Sequence, residues 1–294
     1  MLNCQNILFP VDFSDRCLSA APRVRSLAEQ FQSRITLLHV ISLPPAWAES
    51  GIPFGIPDSA MYAPTVDIAA MTADREQMLA ALAAEQFRGM AVTLRVDVGD
   101  APHIIGEHAE KMKPVLIMLP THGYGRFRRF LVGSVTAKVL HDVTSPVWTD
   151  VHTQGQPEAK GHIRNIVCAV DLDERNVRVI RWASDLAAAT SAELTVAHVV
   201  SAPESYHNDN FTPFRQFLLD TAAQQLQKLM DHAAVQAKTL MEGGKIAPTI
   251  HRVADSLHAD VVVIGRGCLP NALGRLRTHA YSIIRESPCP VISV

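Results

Sequence analysis

Cysteine is scarce and scattered in this chain of 294 residues. The five cysteines include no Cys-x-x-Cys pair, which argues against a disulfide framework and against a zinc site. Free thiols fit a reducing compartment, so we expect a cytoplasmic protein. The N-terminal residues show no basic stretch followed by an apolar one, and no apolar run reaches the roughly 18 residues of a membrane span. We therefore expect neither a signal peptide nor a membrane anchor.

An excess of one charge is also lacking. Lysine and arginine together number 27, aspartate and glutamate number 29, and the net charge is −2. This balance predicts neither nucleic acid nor a membrane surface as a partner. The sequence has no Gly-x-Ser-x-Gly elbow, no His-Glu-x-x-His motif, no P-loop and no Gly-x-Gly-x-x-Gly turn. These absences argue against the standard hydrolase, metalloprotease, P-loop and dinucleotide-binding chemistries.

The chain does contain an internal repeat. The segment Asn6–Asp12 resembles Asn165–Asp171 at an offset of 159 residues (165 − 6), and His39-Val40 recurs at the same offset as His198-Val199. Two later pairs match at shorter offsets (261 − 115 = 146 and 289 − 145 = 144), namely Val115–Met118 with Val261–Ile264 and Ser145–Trp148 with Cys289–Ile292. Four matches in the same order predict two copies of one domain. We expect the domains at residues 1–150 and 163–294, with a polar linker at 151–162.

Each copy alternates short apolar strands with longer helical segments. The first four strands of the first copy are near-continuous apolar runs, which is typical of strands buried on both faces of a parallel sheet. The alternation predicts an α/β fold in which each domain is an open, doubly wound, five-stranded parallel sheet with helices on both faces. The predicted strands are 5–11, 34–41, 91–97, 115–119, 146–149, 164–170, 193–200, 235–241, 261–265 and 290–294. The predicted helices are 15–31, 66–88, 102–112, 134–142, 174–190, 212–232, 248–258 and 278–286, with Ser14 and Ser134 as N-caps.

The most informative segment follows the fourth strand. Pro120-Thr121-His122-Gly123 is separated by nine residues from Gly133-Ser134. A glycine-rich loop that leads from a strand into a helix offers backbone N–H groups and the positive helix end, which suit phosphate oxygens. Ser134 could donate its hydroxyl to a phosphate, or it could simply cap the helix. The loop arginines could meet a polyphosphate or form a solvated basic surface: Arg126, Arg128 and Arg129.

This loop, as Gly-x2-Gly-x9-Gly-[Ser/Thr], resembles that of the universal stress protein family. The resemblance extends to Pro10-Val11-Asp12-x-Ser14, His39-Val40, Gly99-Asp100 and Ser145-Pro146-Val147, and it covers nearly the whole chain as a tandem of two domains. It implies Rossmann-like domains of the adenine nucleotide α-hydrolase-like type. It also implies a stress-response protein with ATP or another adenine nucleotide, with or without Mg²⁺, as a regulatory ligand. Any hydrolysis would be slow and incidental.

The resemblance also implies which residues meet the nucleotide. Pro10 and Asp12 are expected near the adenosine, Val40 through its backbone, and Met118 as a wall. The phosphate contacts are expected from Gly123, Gly133, Ser134 and Val135. Family members commonly pair domains through the last strand, which implies Val147-Trp148 facing Val291-Ile292 in an internal pseudo-dimer and leaves a further homodimer open.

The first copy departs from the family pattern at one position and the second copy at more. Pro120 replaces the first glycine, which removes a backbone donor and fixes φ. In the second copy Gly265 is kept, Cys268 replaces the next glycine, and either Thr278-His279 or Arg277-Thr278 replaces Gly-Ser. A side chain at that point would crowd a triphosphate, so we expect the second copy not to bind ATP in the usual manner. Other anions could still meet Arg266, Arg275 and Arg277.

Simpler interpretations compete with these assignments. Asp12 could hydrogen-bond the backbone of its own turn, and His39 and His198 are more readily structural than catalytic. One alternative function is a nucleotide-free interaction module, and a weaker one is a small-molecule enzyme of the wider group, which no acid–base pair supports. The proline-rich connection at 42–64 is either a flap over the site or disordered.

Overall fold

The computed structural model describes residues 4–42, 67–120, 133–150, 162–201, 212–266 and 278–294. Some predicted features lie outside these ranges, namely Gly123, His122, the loop arginines, Cys268, Arg275 and Arg277. The connection at 42–64 and the linker at 151–162 are described only at residues 42 and 162.

The described residues form ten strands and eight helices that alternate along most of the chain. The first half consists of β1 (Asn6–Pro10), α1 (Asp15–Phe31), β2 (Arg34–Ile41), α2 (Ile68–Gln86), β3 (Val92–Val98), α3 (Ala101–Lys111), β4 (Val115–Pro120), α4 (Ser134–Asp142) and β5 (Val147–Asp150). The second half consists of β6 (Asn165–Ala169), α5 (Asn176–Thr190), β7 (Glu193–Val200), α6 (Thr212–Ala233), β8 (Lys238–Gly243), α7 (Ile246–Ser256), β9 (Val261–Ile264), α8 (Thr278–Glu286) and β10 (Val291–Ser293).

The ten strands form one sheet in the order β3-β2-β1-β4-β5-β10-β9-β6-β7-β8. All neighbours within each half are parallel, so the predicted five-stranded parallel units are confirmed. The two units are not separate sheets, however, because β5 and β10 pair in antiparallel fashion. Trp148 faces Ile292 at the centre of this pairing, as the family resemblance implied.

The helices cover the two faces of the sheet in matching sets. Helices α1, α2, α5 and α6 pack on one face, around a core that includes Phe9, Trp148 and Ile292. Helices α3, α4, α7 and α8 pack on the other face, around a core that includes Val147 and Val291. Each core therefore runs through both halves without a break at the junction.

Some predicted elements differ from the structure. β3 is not a doubly buried run, because it lies at the edge of the sheet and alternates between half-buried and exposed residues. β8 begins three residues later than predicted: the left-handed Ala234 ends α6, and Val235 packs on the core within the turn instead of in the strand. α7 begins and ends two residues earlier than predicted, and the left-handed His258 follows it.

One N-cap is confirmed and the other is wrong. Ser14 caps α1, because its hydroxyl accepts a hydrogen bond from the Cys17 backbone N–H at 3.3 Å. Ser134 is the first residue inside α4, and Gly133 occupies the N-cap without any side-chain hydrogen bond. Among the described helices, none is both long enough and apolar enough to span a bilayer.

Candidate functional site

The strand order reverses between β1 and β4 in the first half. From β1 the chain proceeds to β2 and β3 on one side, and later to β4 and β5 on the other. In open α/β sheets such a reversal leaves a crevice at the carboxyl ends of the strands, where ligands bind. Pro10 ends β1, Val40 lies near the end of β2, and Pro120 ends β4. The structure therefore brings these three parts of the predicted site to one edge of the sheet.

Asp12 is exposed at this edge and organises the turn after β1. Its Oδ1 accepts hydrogen bonds from the Ser14 backbone N–H at 2.9 Å and from the Ser14 hydroxyl at 2.6 Å. The simpler interpretation, in which Asp12 bonds its own turn, is thus confirmed. The same contacts fix the direction of a carboxylate at the mouth of the crevice.

His39 and His198 have the same role in the two halves. The Nδ1 atom of His39 donates to the Val11 carbonyl at 2.7 Å, and that of His198 donates to the Val170 carbonyl at 2.8 Å. Each ring therefore ties the segment after the first strand to the neighbouring strand. This is a structural role, as the sequence suggested. In the first half the His39 ring also lies 4.9 Å from the Phe13 ring.

Met118, which the family resemblance implies as a wall of the nucleotide site, lies on the opposite face of the sheet from Val40 and Val135. Val40 and Val135 pack with the core on the α3–α4 face. Met118 is buried on the opposite face with Phe9, because successive residues of a strand alternate. Leu119, the next residue, belongs to the same core as Val40 and Val135. Successive residues of β4 face opposite sides of the sheet, and this alternation is the sequence signal that would have indicated Leu119 in place of Met118 as the wall of the site, once the face occupied by Val40 was known.

The first turn of α4 presents the other end of the candidate site. Gly133 has φ −55° and ψ 148°, so its backbone is not one that requires glycine. Ser134 is exposed and Val135 is half-buried. The described hydrogen bonds give the Ser134 hydroxyl no capping role, which leaves the first-turn N–H groups of α4 without a side-chain cap.

Strand register shows which residues of the two halves are equivalent. Ile7 pairs with Leu116 in β4, and its repeat partner Ile166 pairs with Val261 in β9. Leu116 and Val261 are therefore equivalent, at an offset of 145 (261 − 116). This corrects the sequence alignment, which set Val261 against Val115. By the same offset Ile264 corresponds to Leu119, and Gly265 corresponds to Pro120.

Burial fixes the alignment of the loop helices. In α4 the buried residues are Thr136, Val139 and Leu140, and in α8 they are Ala280, Ile283 and Ile284, at an offset of 144 (280 − 136). Of the two sequence alignments, the one that places Arg277-Thr278 against Gly133-Ser134 is thus the correct one. The second half keeps the hydroxyl residue and replaces the glycine with arginine.

A cleft opens at the carboxyl ends of the strands in the second half, at the place that corresponds to the first-half crevice. Five of its lining residues are the counterparts of Pro10, Asp12, Val40, Leu119 and Val135. In that order they are Ala169, Asp171, Val199, Ile264 and His279. The second half therefore has a cleft at the equivalent place, and among these five pairs only the exchange of Val135 for His279 replaces an apolar residue with a polar one.

A family comparison bears directly on this arrangement. The model of the universal stress protein family matches residues 3–150 and again residues 162–294. This chain belongs to the universal stress protein family.

Individual relatives match either about half of this universal stress protein or nearly all of it. A universal stress protein A homolog of Coxiella burnetii is 26% identical over 139 residues, which cover 45% of this chain and 96% of that protein. A universal stress protein structure from Archaeoglobus fulgidus has 21% identity and a TM-score of 0.67, and it covers 98% of this chain and 95% of that chain. Another, from the same organism and in complex with dAMP, has 23% identity and a TM-score of 0.31, over 44% of this chain and 96% of that one.

Local packing explains how this universal stress protein accommodates Pro120. A Cβ atom built on its counterpart Gly265 would lie 2.9 Å from the Asn176 Oδ1 and 3.1 Å from the Val179 Cγ2. At the repeat offset of 159, the first half has the smaller residues Cys17 and Ala20 at those two positions. The helix opposite Pro120 therefore has room for a larger residue at the end of β4.

Arg266 connects the second half to the first. Its side chain is buried, and it donates to the Val143 carbonyl at 2.8 Å and to the Ser145 carbonyl at 2.5 Å. Both acceptors belong to the turn after α4 in the first half. These two hydrogen bonds connect the halves. That Arg266 could also meet an external anion stays a prediction.

The four thiols in the described part of the chain are all buried. Burial raises the pKa of Cys4, Cys17 and Cys168 to about 12 each, and that of Cys289 to about 11. Thiols with such values carry almost no thiolate at neutral pH. Within the described ranges, no group of three or more histidine, cysteine, aspartate or glutamate side chains is arranged to hold a metal ion.

Proposed function

We propose that the first half of this stress-response protein binds ATP or a related adenine nucleotide as a regulatory ligand. The observation that carries the proposal is the meeting of Pro10, Asp12, Val40 and the first turn of α4 around one strand-order reversal. Resemblance to ATP-binding family members supports adenine as the base.

Each end of the crevice suits one part of such a ligand. Val40 and Leu119 offer apolar surface to the base, and the oriented Asp12 carboxylate can accept hydrogen bonds from ribose hydroxyls. The uncapped first turn of α4 offers N–H groups and a positive helix end to the phosphates. We retain Gly123, Gly133, Ser134 and Val135 as the phosphate contacts, and we take Leu119 in place of Met118 as the wall.

Magnesium, where present, would arrive with the nucleotide. Mg²⁺ is commonly bound through one or two carboxylates together with substrate phosphates. Asp12 is the one carboxylate in the proposed set of site residues, and its Oδ1 already accepts two hydrogen bonds from Ser14. The residues thus fit a nucleotide that supplies most of the ligands of its own metal.

We propose that the second half does not bind ATP and serves as a pseudo-dimer partner. Arg277 occupies the position of Gly133, and His279 occupies that of Val135 and lines the cleft. These larger side chains would crowd a triphosphate at the positions where the first half has a glycine and a half-buried valine. The cytoplasm, with its reducing thiol chemistry, remains the expected location.

A nucleotide-free interaction module is the second candidate, and Pro120 is the observation that favours it. Proline at this position removes an N–H group that a family phosphate loop would offer. The family resemblance implies that any hydrolysis is slow and incidental, so either candidate predicts a protein whose turnover of ATP is slow or absent.

Co-purification tests the proposal first. Protein denatured after purification should release adenine nucleotide that mass spectrometry identifies in the supernatant. Calorimetric titration with ATP should then give binding by the wild-type chain and no binding by Gly133→Trp. The backbone of Gly133 tolerates any residue, so the indole should fill the phosphate end without straining the helix.

The chain offers a matched control at the counterpart position. Arg277→Trp places the same side chain in the second half and should leave ATP binding unchanged. Wild-type protein that binds no adenine nucleotide would favour the interaction module. Equal binding by both tryptophan variants would show that the phosphate end was assigned to the wrong residues.

A further inference from the structure

The contacts between the two halves are only partly symmetric. Thr149 and Ser293 are counterparts at an offset of 144 (293 − 149), and they make reciprocal contacts. The Thr149 hydroxyl donates to the Val291 carbonyl at 2.9 Å, and the Ser293 hydroxyl donates to the Val147 carbonyl at 3.5 Å. This pair is what two identical domains would form.

Arg266 breaks the symmetry. Its counterpart in the first half is Thr121 (266 − 121 = 145), whose short side chain carries one donor and cannot reproduce a two-pronged contact. In the second half the turn equivalent to Val143–Ser145 closes on itself, because the Ser287 hydroxyl donates to the Cys289 carbonyl at 2.7 Å. In the first half the corresponding carbonyls are held by the guanidinium of Arg266 from across the junction.

Tyr281 adds a second one-way contact to the same helix. Its hydroxyl donates to the Ala137 carbonyl of α4 at 3.3 Å. Ala137 is also the counterpart of Tyr281 (281 − 137 = 144), and alanine has no hydroxyl to return the bond. Burial raises the pKa of Tyr281, so its hydroxyl remains a donor at neutral pH. The second half therefore holds α4 at its middle and just beyond its end.

α4 is a helix that depends on such support. It has nine residues, and a helix that short is marginal without tertiary contacts. The carbonyls at its C-terminal end have no partners within the helix, and a buried cation there complements the helix dipole. Gly133, Ser134 and Val135 lie at the N-terminal end of α4, and Arg266 contacts the turn after its C-terminal end. Because α4 is short, a displacement at its C-terminal end is expected to move the N-terminal residues as well.

We propose that Arg266 is a positioning residue for the phosphate end of the first-half site. From the second half it fixes α4 so that the first turn faces the crevice. This inference rests on the proposed binding of an adenine nucleotide by the first half. Under this proposal the second half, whose own loop departs from the family pattern, supplies Arg266 to position the site of the first half.

The test uses the full chain with ATP and adenosine as separate probes. Arg266→Met keeps an apolar stem and removes the two hydrogen bonds to Val143 and Ser145. It should weaken ATP binding by about tenfold, within the range of energies for such coupling positions. Adenosine, which lacks phosphate, should bind as it does to wild type. Arg266→Lys retains the charge and one contact, and it should recover part of the affinity for ATP.

Two further variants keep the test decisive. Arg252→Met removes an exposed arginine that pairs with Glu242 within the second half, and it should change neither affinity. Tyr281→Phe removes one hydrogen bond to α4 and should weaken ATP alone by a few-fold. If Arg266→Met fails to fold, Arg266→Lys and Tyr281→Phe test the positioning role by the same measure, the ratio of ATP affinity to adenosine affinity.

The outcomes separate two kinds of failure. In one outcome the wild-type protein binds ATP and adenosine, and the variants lose affinity for both ligands equally or for neither. That outcome would overturn the positioning role and leave the proposed function intact. Wild-type protein that binds neither ligand would overturn the proposed function, and the positioning role with it. Selective loss of ATP affinity supports the role, because general destabilisation would also weaken adenosine.

Discussion

At the scale of single residues, the repeat makes each half a reference for the other. Compared with the family pattern alone, Pro120 is a departure that removes a backbone donor. The second half shows that neighbouring residues differ as well: Gly265 packs against Asn176 and Val179, where the first half has the smaller Cys17 and Ala20. The size of the residue at the strand end and the size of the helix residues that face it change together.

This packing predicts the cost of a methyl group at Gly265. Gly265→Ala should destabilise the protein by about 1 kcal/mol, the low end for overpacking, because the Asn176 amide can rotate away from the new Cβ and the Val179 Cγ2 needs only a small shift. Adding Asn176→Cys, the residue that the first half uses, should recover part of that loss. Urea unfolding of both single variants and the double variant measures the coupling energy. Additive effects would show that the two positions are independent.

At the scale of secondary structure elements, the sequence predicted most helices and strands but not their ends. Apolar runs identified β1 and β4 because both are buried on both faces. The β8 boundary failed because Val235 is apolar yet belongs to a turn, so composition alone could not distinguish strand from packed loop. Serine is favoured at N-cap positions, so the sequence predicts Ser134 as the cap of α4, whereas the helix begins at Ser134 itself and Gly133 is the N-cap.

The two serines give a direct comparison of capping. Ser14→Ala should lower the free energy of unfolding by about 1 kcal/mol, because it removes the side-chain bond to the Cys17 N–H. Ser134→Ala should change it by less than about 0.5 kcal/mol, since that hydroxyl caps nothing. Both values come from urea denaturation without nucleotide. A loss at Ser134 equal to that at Ser14 would contradict the assignment of Gly133 as the N-cap.

At the scale of the whole molecule, the resemblance predicted the junction and the register explained it. The pairing of Val147-Trp148 with Val291-Ile292 could be expected because family domains associate through the last strand. The one-way contacts of Arg266 and Tyr281 could not, because a side chain that crosses between halves leaves no periodic signal in the sequence. The proposed site residues on β1 and β2 came from the family resemblance. Leu119 could be chosen only after the structure showed which residues of β4 share a core with Val40.

The continuous cores predict cooperative unfolding of the two halves. Both core clusters contain residues from each half, and Trp148 and Ile292 are almost fully buried at the junction. Loss of one half would expose this surface on the other, so we expect a single urea transition in which far-UV circular dichroism and tryptophan fluorescence coincide. Two separated transitions would show that the halves unfold independently.

The stoichiometry of ATP binding tests the unequal roles of the halves most directly. The first half presents Gly133 at the phosphate end, and the second presents Arg277 at the same position. Calorimetric titration or equilibrium dialysis of the full chain with ATP should therefore give one nucleotide per chain, and Gly133→Trp should abolish it. Two nucleotides per chain, or one that survives in Gly133→Trp and disappears in Arg277→Trp, would contradict the assignment of the site to the first half.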